Sequence, residues 1–164
     1  MTRTAFDEYR ETGHISSATI QTLVDVYGEE KHRIYQQYIA KPDSGFARAL
    51  LAGFTAAYKA ASTRVGDGMT TDELKFAAYL VALNKDVSDV LLLWQTKEID
   101  FDTHCGFDIQ LVVFAGPEAT ISYLKKQADP EAMAALAYIE ACCAAGDFDS
   151  LADYFSPANL PYWL

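Results

Sequence analysis

The sequence predicts an all-α protein, a single-domain bundle or a short stack of helical hairpins with seven to eight helices. Apolar residues recur at spacings of three and four along most of the chain, which is the period of an amphipathic helix. The connections between these runs are short, and helices joined by short connections pack antiparallel. With 164 residues, 51% of them hydrophobic, the chain suits one domain over residues 1–164.

The first two predicted helices precede the main loop of the chain. Apolar residues at helical spacing over 20–39 mark one long amphipathic helix, loosened near Gly28. Pro42 ends this helix, because the residue before a proline is disfavoured in the helical conformation. Residues 47–61 repeat apolar side chains at spacings of three and four without a miss. Residues 62–71 contain two glycines and no periodicity, so they are predicted to form a loop.

The middle of the chain is predicted to supply the central helices. Thr70 and Glu73 match a capping box, in which the Thr hydroxyl accepts from the Glu73 amide and the carboxylate returns the bond. A helix over residues 72–83 follows from this signal. Residues 90–99 and 106–115 are apolar on most faces, which is typical of helices at the centre of a fold.

Proline residues mark the start of the later helices. Pro117 and Pro130 each stand at a first helical position, where the missing amide proton costs nothing, and Asp129 precedes the second as an N-cap. A last periodic set occupies residues 148–155. The apolar tail, residues 157–164, holds two prolines and is not helical throughout.

Two large aromatic residues, Tyr162 and Trp163, lie in this tail. Side chains of this size are usually buried, so both are expected to dock onto the core. The alternative interpretation is that they contact a partner.

The net charge limits the classes of partner. The chain has 13 Lys+Arg against 23 Asp+Glu, a net charge of −10, which argues against nucleic acid or an anionic membrane as the main partner. Residues 1–99 contribute −2 of this total, and residues 100–164 contribute −8, because only Lys125 and Lys126 oppose ten acids there. A surface of one sign steers oppositely charged partners and accelerates their association.

Six of these acids cluster at helix junctions and are the candidate partner-binding residues. They are Asp100, Asp102, Asp108, Asp147, Asp149 and Asp153. Basic residues that could neutralise them are nearly absent from this part of the sequence. The alternative interpretation is a solvated acidic face that only aids solubility.

Two Glu-x-x-His motifs invite a di-iron hypothesis. Glu11 with His14 and Glu29 with His32 have the spacing of ligand pairs in helical bundles, where both pairs and two further glutamates must project into the core. Gly13 disrupts the first pair, and the second lies in a run of charged residues typical of a solvated face. No metal site is predicted from these motifs.

The segment from Asp100 to Leu111 contains residue types that calcium binding or nucleophilic catalysis would use. A calcium loop requires a bidentate Glu at position twelve, where Leu111 stands, so calcium binding is rejected. His104 and Cys105 are the only neighbouring imidazole and thiol, but residues adjacent in sequence seldom aim at one another as a nucleophile and its base must. The favoured interpretation is that Asp102 or Thr103 caps the next helix. No catalytic residue and no cofactor is predicted.

The three cysteines do not make a disulfide scaffold. Cys142 and Cys143 are neighbours whose side chains point about 100° apart on a helix, so a disulfide between them would be strained. Thiols buried as small hydrophobes fit better, which indicates a reducing compartment. The N-terminus lacks an apolar signal segment, and no apolar run approaches the roughly 20 residues of a membrane span. We therefore expect a soluble, cytoplasmic protein.

The middle of the chain resembles a known group of proteins. The resemblance is carried by residues 94–110 (WQTKEIDFDTHCGFDIQ), 114–117 (FAGP) and 120–124 (TISYL). These stretches resemble small all-helical bacterial immunity proteins of polymorphic-toxin systems. Proteins of this kind act by binding, so the resemblance implies no catalytic residue.

Acidity and resemblance together predict a non-enzymatic binding protein. It would neutralise a cognate secreted bacterial toxin domain by occluding the basic active-site cleft of that toxin. Its partner would be the cognate toxin protein with its basic surface. Neither nucleic acid nor a membrane is expected as a partner. Two alternatives remain: a small helical enzyme or ligand-binding protein that uses the Asp100–Asp108 segment, and a structural helical module that recruits host factors.

Overall fold

The structure, a computed structural model, describes residues 4–61 and 69–164. All regular secondary structure in these residues is helical, which confirms the predicted all-α class. The α-helices are α1 Ala5–Thr12, α2 Ser17–Asp25, α3 Tyr27–Ala40, α4 Ser44–Ala61, α5 Asp72–Ala82, α6 Val90–Lys97, α7 Phe101–Gly106, α8 Ile109–Val112, α9 Pro117–Lys125, α10 Pro130–Ala145 and α11 Leu151–Tyr154. A 3-10 helix spans Val87–Asp89. The described residues thus hold eleven α-helices, and the expected count of seven to eight is wrong.

The chain folds as two compact units. The first comprises the residues up to Val81 together with Trp163–Leu164, and the second comprises Ala82–Tyr162. The second unit holds four Lys and thirteen Asp+Glu, a net charge of −9, whereas the first holds nine Lys+Arg and ten acids, a net charge of −1. Nearly all of the net charge therefore belongs to one unit.

One extra helix arises because the expected long helix over residues 20–39 is two helices. Val26 lies outside helical geometry, with φ −116° and ψ 19°, and it separates α2 from α3. Its carbonyl accepts from the amides of Glu29 and Glu30, both at 3.0 Å, so the chain starts a new helix at this point. Gly28 lies inside the first turn of α3, and the break falls two residues before it.

Another difference concerns residues 106–115, which do not form one helix. Phe107 is extended, with φ −88° and ψ 122°, and its ring is buried. Placing this ring in the core requires the chain to leave the helical conformation, so α8 is only one turn long. The expected central position is confirmed, because the residues from Leu111 to Phe114 are all buried.

Helix α1 was not expected from the sequence. Thr4 caps it, accepting from the amide of Asp7 at 3.1 Å, while the Asp7 carboxylate accepts from the Thr4 amide at 3.1 Å. Gly13 ends the helix in the left-handed conformation, at φ 75°. The Phe6 ring stacks on the Phe46 ring of α4 with centroids 3.7 Å apart, and the Tyr9 ring meets the same ring edge-on at 5.8 Å, so aromatic contacts join this short helix to the core.

The expected helix boundaries at proline and acidic residues are confirmed. α3 ends at Ala40, before Pro42, and α9 and α10 begin at Pro117 and Pro130. Asp129 caps α10, its Oδ1 accepting from the amide of Ala132 at 2.9 Å. Each of these signals acts within one turn of the helix it sets, so tertiary packing does not override it.

The capping box at the start of α5 forms with one change. The carboxylate of Glu73 accepts from the amide of Thr70 at 3.2 Å, as expected. The hydroxyl of Thr70 accepts from the amide of Asp72 at 3.2 Å, instead of the expected bond from Glu73. Of the loop expected over 62–71, residues 62–68 lie outside the described part of the chain.

The core of the first unit is built around α4. Phe46, Leu50 and Phe54 are fully buried along one side of this helix. α2 packs closely against α4 at Gly53, where an added Cβ would lie only 2.3 Å from Cδ1 of Ile20. A larger residue at this position would force the Ile20 side chain to move, so the glycine permits the observed close packing.

The two aromatic residues of the tail have opposite environments. Trp163 is 2% exposed in the first unit, with its ring 5.7 Å from that of Tyr79, whereas Tyr162 is 80% exposed. The hydroxyl of Tyr27 donates to the carbonyl of Trp163, and the ammonium of Lys75 lies 5.7 Å from the indole centroid. Docking of the tail is thus confirmed for Trp163 and wrong for Tyr162.

Truncation of these two neighbours should have very different effects on stability. We expect Trp163→Ala to lower the free energy of unfolding by about 3–5 kcal/mol, because it opens a cavity in the core of the first unit. Tyr162→Ala, the matched control, should change it by less than about 0.5 kcal/mol, because that side chain is exposed. Urea denaturation followed by tryptophan fluorescence and far-UV circular dichroism measures both. Equal effects of the two substitutions would contradict the docked position of Trp163.

Candidate functional site

The first acidic cluster begins with a helix cap. Asp100 is the N-cap of α7, and its Oδ1 accepts from the amide of Thr103 at 2.9 Å. Thr103 returns the bond, its hydroxyl oxygen accepting from the Asp100 amide at 3.0 Å. The expectation that Asp102 or Thr103 would be the cap is therefore wrong by two or three positions. Asp102 lies exposed in the first turn of α7.

Hydrogen bonds connect the two acidic clusters of the sequence. The hydroxyl of Tyr154 donates to Oδ2 of Asp108 at 2.7 Å, and Nε2 of Gln110 donates to the carbonyl of Asp147 at 3.3 Å. These contacts join residues that are 46 and 37 positions apart along the chain. Asp149 and Asp153 lie exposed on the C-terminal segment.

We call residues 98–110 and 147–154 the acidic corner. It contains seven carboxylates and no Lys or Arg. Six of the carboxylates are the predicted partner-binding residues, and the seventh is Glu98. The hydrogen bonds between the two clusters involve Asp108 and Gln110 of the first cluster. The Asp100 carboxylate instead accepts from the amide of Thr103 in the helix that it caps. The structure thus brings the C-terminal cluster next to Asp108.

A buried lysine donates hydrogen bonds to backbone carbonyls of the acidic corner. Lys97, at the end of α6, is 3% exposed, and its ammonium donates to the carbonyls of His104 and Phe107, the latter at 2.9 Å. These carbonyls lie at the C-terminal end of α7, where no further helical turn provides donors for them. Burial lowers the pKa of Lys97, and the nearby Glu98 and Asp108 act in the opposite direction. Since its protons are directed inward, Lys97 does not cover the acidic surface.

His104 pairs with a carboxylate that the sequence analysis did not consider. Its Nδ1 lies 2.7 Å from Oε1 of Glu98, and its ring packs edge-on against Tyr138 of α10, with centroids 5.8 Å apart. Glu98 was missed because the turn between α6 and α7, which brings it back to His104, has no signature in the sequence.

The thiols of this region differ in exposure. Cys105 is exposed on α7, whereas Cys142 and Cys143 are half-buried on α10, so the expectation of three buried thiols is wrong. Two effects raise the pKa of the Cys142 thiol: burial, which is the larger, and a hydrogen bond to Asp147. A raised pKa keeps the thiol protonated and a poor nucleophile at neutral pH.

One exposed aromatic side chain lies within the acidic corner. Phe101, the first residue of α7, is 79% exposed and is flanked in sequence by Asp100 and Asp102. Aromatic residues are enriched among the few side chains that carry most of the binding energy in protein interfaces. Phe101 was not among the residues predicted from the sequence, although its position between two acids just after a cap is a usable signal of exposure.

The Glu-x-x-His motifs do not lie in a bundle core. Glu11 is near the end of α1, and His14 follows Gly13 beyond that helix. Glu29 and His32 are both exposed on α3. Within residues 4–61 and 69–164, no three His, Cys, Asp or Glu side chains are close enough together to hold a metal ion.

The fold and the site together define an all-helical protein whose second unit carries an acidic corner around an exposed phenylalanine. Comparison of the chain with protein-family models, curated proteins and solved structures finds no match. None of the helices in the described ranges has the length and apolar character that crossing a membrane demands.

The cap at Asp100 makes a prediction about local stability. Asp100→Ala should lower the free energy of unfolding by about 1 kcal/mol, because the amide of Thr103 loses its acceptor. Asp100→Asn should retain most of this stabilisation, because the side-chain amide oxygen of asparagine can also accept the bond. Thermal denaturation of both variants beside the wild type measures the difference. If Asp100→Asn were as destabilising as Asp100→Ala, the carboxylate would be acting through its charge and not as a cap.

Proposed function

We propose that this chain is a non-enzymatic, cytoplasmic binding protein that neutralises a cognate secreted bacterial toxin domain. In this proposal the acidic corner covers a basic active-site cleft of the toxin. Its carboxylates pair with Lys and Arg side chains that would otherwise hold a nucleotide or a nucleic acid. The toxin is thereby inhibited by occlusion, with no chemical step.

The observation that carries the proposal is the joining of the two acidic clusters through Tyr154–Asp108 and Gln110–Asp147. A count of acids along a sequence does not make a surface, but clusters connected in space act on a partner together. Seven carboxylates without a Lys or Arg among them leave the potential of the corner unneutralised. Such a potential attracts a basic protein and repels nucleic acid.

Phe101 supports a protein partner in particular. A binding surface made only of charges gives fast association but little affinity, since exposed ion pairs contribute about 0–1 kcal/mol each. Binding energy concentrates on a few aromatic or Arg residues that lose their contact with water in the complex. Phe101 is exposed by 79% in the free protein, so its ring is available for this role. Arg side chains of a basic cleft also stack favourably on aromatic faces.

Reversal of the C-terminal cluster tests the electrostatic part of the proposal. The partner is first captured from the native host with the wild-type protein and eluted at rising salt, where we expect a single stoichiometric basic protein. Its association rate with an Asp147→Lys/Asp149→Lys/Asp153→Lys variant should be at least tenfold lower than with the wild type and less sensitive to salt.

Three exposed acids of the first unit provide the matched control for this experiment. Glu11, Asp25 and Glu29 lie on α1, α2 and α3, and changing them to Lys alters the net charge by the same amount. This control should keep most of the wild-type association rate. If the triple-lysine variant of the acidic corner kept the wild-type association rate, or if the control lost as much of that rate, the acidic corner would not be the binding surface.

Truncation of Phe101 tests the apolar part. Phe101→Ala should raise the dissociation rate of the captured complex at least tenfold and leave the association rate nearly unchanged, since the aromatic contact forms after encounter. Met133→Ala is the control, because Met133 is also highly exposed, at 66%, but lies on α10 outside the acidic corner. Surface plasmon resonance separates the two rates. A dissociation rate equal to that of the control would remove Phe101 from the interface.

A second candidate function is ligand binding or catalysis at the Asp100–Asp108 segment. The pairing of His104 with Glu98 favours it, because an imidazole oriented by a carboxylate is a common general base. A His104→Ala/Asp102→Asn variant separates the two functions. If this variant still binds and inhibits the captured partner, the imidazole is not required for the function, and occlusion is supported.

A further inference from the structure

The second unit contains a cavity of about 910 Å³ on which the proposed function does not draw. Its walls come from the end of α5, the 3-10 helix, the turn between α8 and α9, and α11. The lining residues are Ala82, Leu83, Lys85, Val87, Phe114, Ala115, Gly116, Ala119, Leu151, Ala152, Phe155, Ser156 and Pro157. Pockets of about 300–1,000 Å³ with mainly apolar walls are typical sites for small molecules.

The charge of this cavity is opposite to that of the unit that contains it. None of the thirteen acids of the second unit lines it, and Lys85 is its one charged lining residue. Ser156 is the other side chain in the lining with a polar group. The walls are otherwise apolar, including two phenylalanine rings. An occupant that matches them has an apolar body and a single negative charge.

The backbone at Lys85 is also unusual. Lys85 follows α5 with φ 54°, and it is the one non-glycine residue with positive φ in the described ranges. Its amide donates to the carbonyl of Ala82 at 3.0 Å, which closes the end of the helix. Glycine or asparagine adopts this conformation with least strain. The chain instead has a lysine there, an exposed residue that lines a cavity without acids.

We propose that this cavity binds a small amphipathic monocarboxylate, such as a medium-chain fatty acid. The hydrocarbon chain lies among Leu83, Phe114 and Phe155, and the carboxylate lies at the ammonium of Lys85. Leu151 and Ala152 belong to both regions, but neither Phe101 nor any carboxylate of the acidic corner lines the cavity, so this inference stands or falls separately from the proposed function.

Isothermal titration calorimetry of the full chain with sodium decanoate tests the proposal, below the micellar concentration. We expect one molecule bound per chain. Octanoate should bind about fifteenfold more weakly, because each buried methylene contributes roughly fourfold in affinity. Decyltrimethylammonium has the same chain with the opposite charge and should bind at least tenfold more weakly than decanoate.

Three variants assign the binding to this cavity. Lys85→Met should weaken decanoate binding by up to about fivefold, whereas Lys126→Met, which removes an exposed lysine elsewhere in the unit, should leave it unchanged. Ala119→Trp should abolish it, since Ala119 lines the cavity and is exposed on α9, where a larger residue fills the space without disturbing the core. Circular dichroism verifies that each variant is folded.

Several results would overturn the proposal. One is the absence of decanoate binding at millimolar concentration, and another is equal affinity for decyltrimethylammonium. Decanoate binding that is insensitive to both Lys85→Met and Ala119→Trp would assign it to another apolar surface. Binding of a model leucine–lysine amphipathic helix in place of decanoate would identify the cavity as a protein-docking groove.

Discussion

The acidic corner depends on the hydrogen bonds that the buried ammonium of Lys97 donates. This ammonium binds the carbonyls of His104 and Phe107 at the end of α7, and so it fixes the turn that leads to Asp108. Burial favours the neutral amine, whereas Glu98 and Asp108 favour the charged form. The carboxylates at the surface and the lysine beneath them therefore stabilise one another. A corner with fewer acids would hold this lysine less firmly, and a corner without the lysine would lose its shape.

Seven carboxylates in one region repel one another, and local donors offset part of that cost. Asp100 accepts from the amide of Thr103, Asp108 from the hydroxyl of Tyr154, and Asp147 from the thiol of Cys142. These bonds leave the net charge in place while fixing where it lies. A basic partner would relieve the remaining repulsion, so a surface that is strained alone becomes favourable in a complex. The mainly apolar walls around Lys85, which include no acid, show that the same unit can also create a different environment.

The features that could be predicted from the sequence are those determined within one helical turn. Prediction failed where contacts between residues distant in the chain determine the conformation. Asp129 and Pro117 start helices through their own hydrogen bonds and fixed dihedral angles, so both were predictable. Phe107 leaves the helical conformation because a remote core accepts its ring, and no local pattern shows this. Lys97 reads as an ordinary surface cation, since its burial follows from carbonyls beyond its own helix. The six candidate aspartates were found from charge, but the hydrogen bonds that join their two clusters, at Asp108 and Asp147, are visible only in the fold.

The position of Trp163 has a consequence for the order of events during synthesis. Its indole packs against Tyr79 in the first unit, yet it emerges from the ribosome after every residue of the second. Since chains fold as they are made, the second unit can complete its core while the first still lacks its last aromatic ring. The part of the protein made first is thus the part finished last, and until then an apolar site for the indole stays open to water.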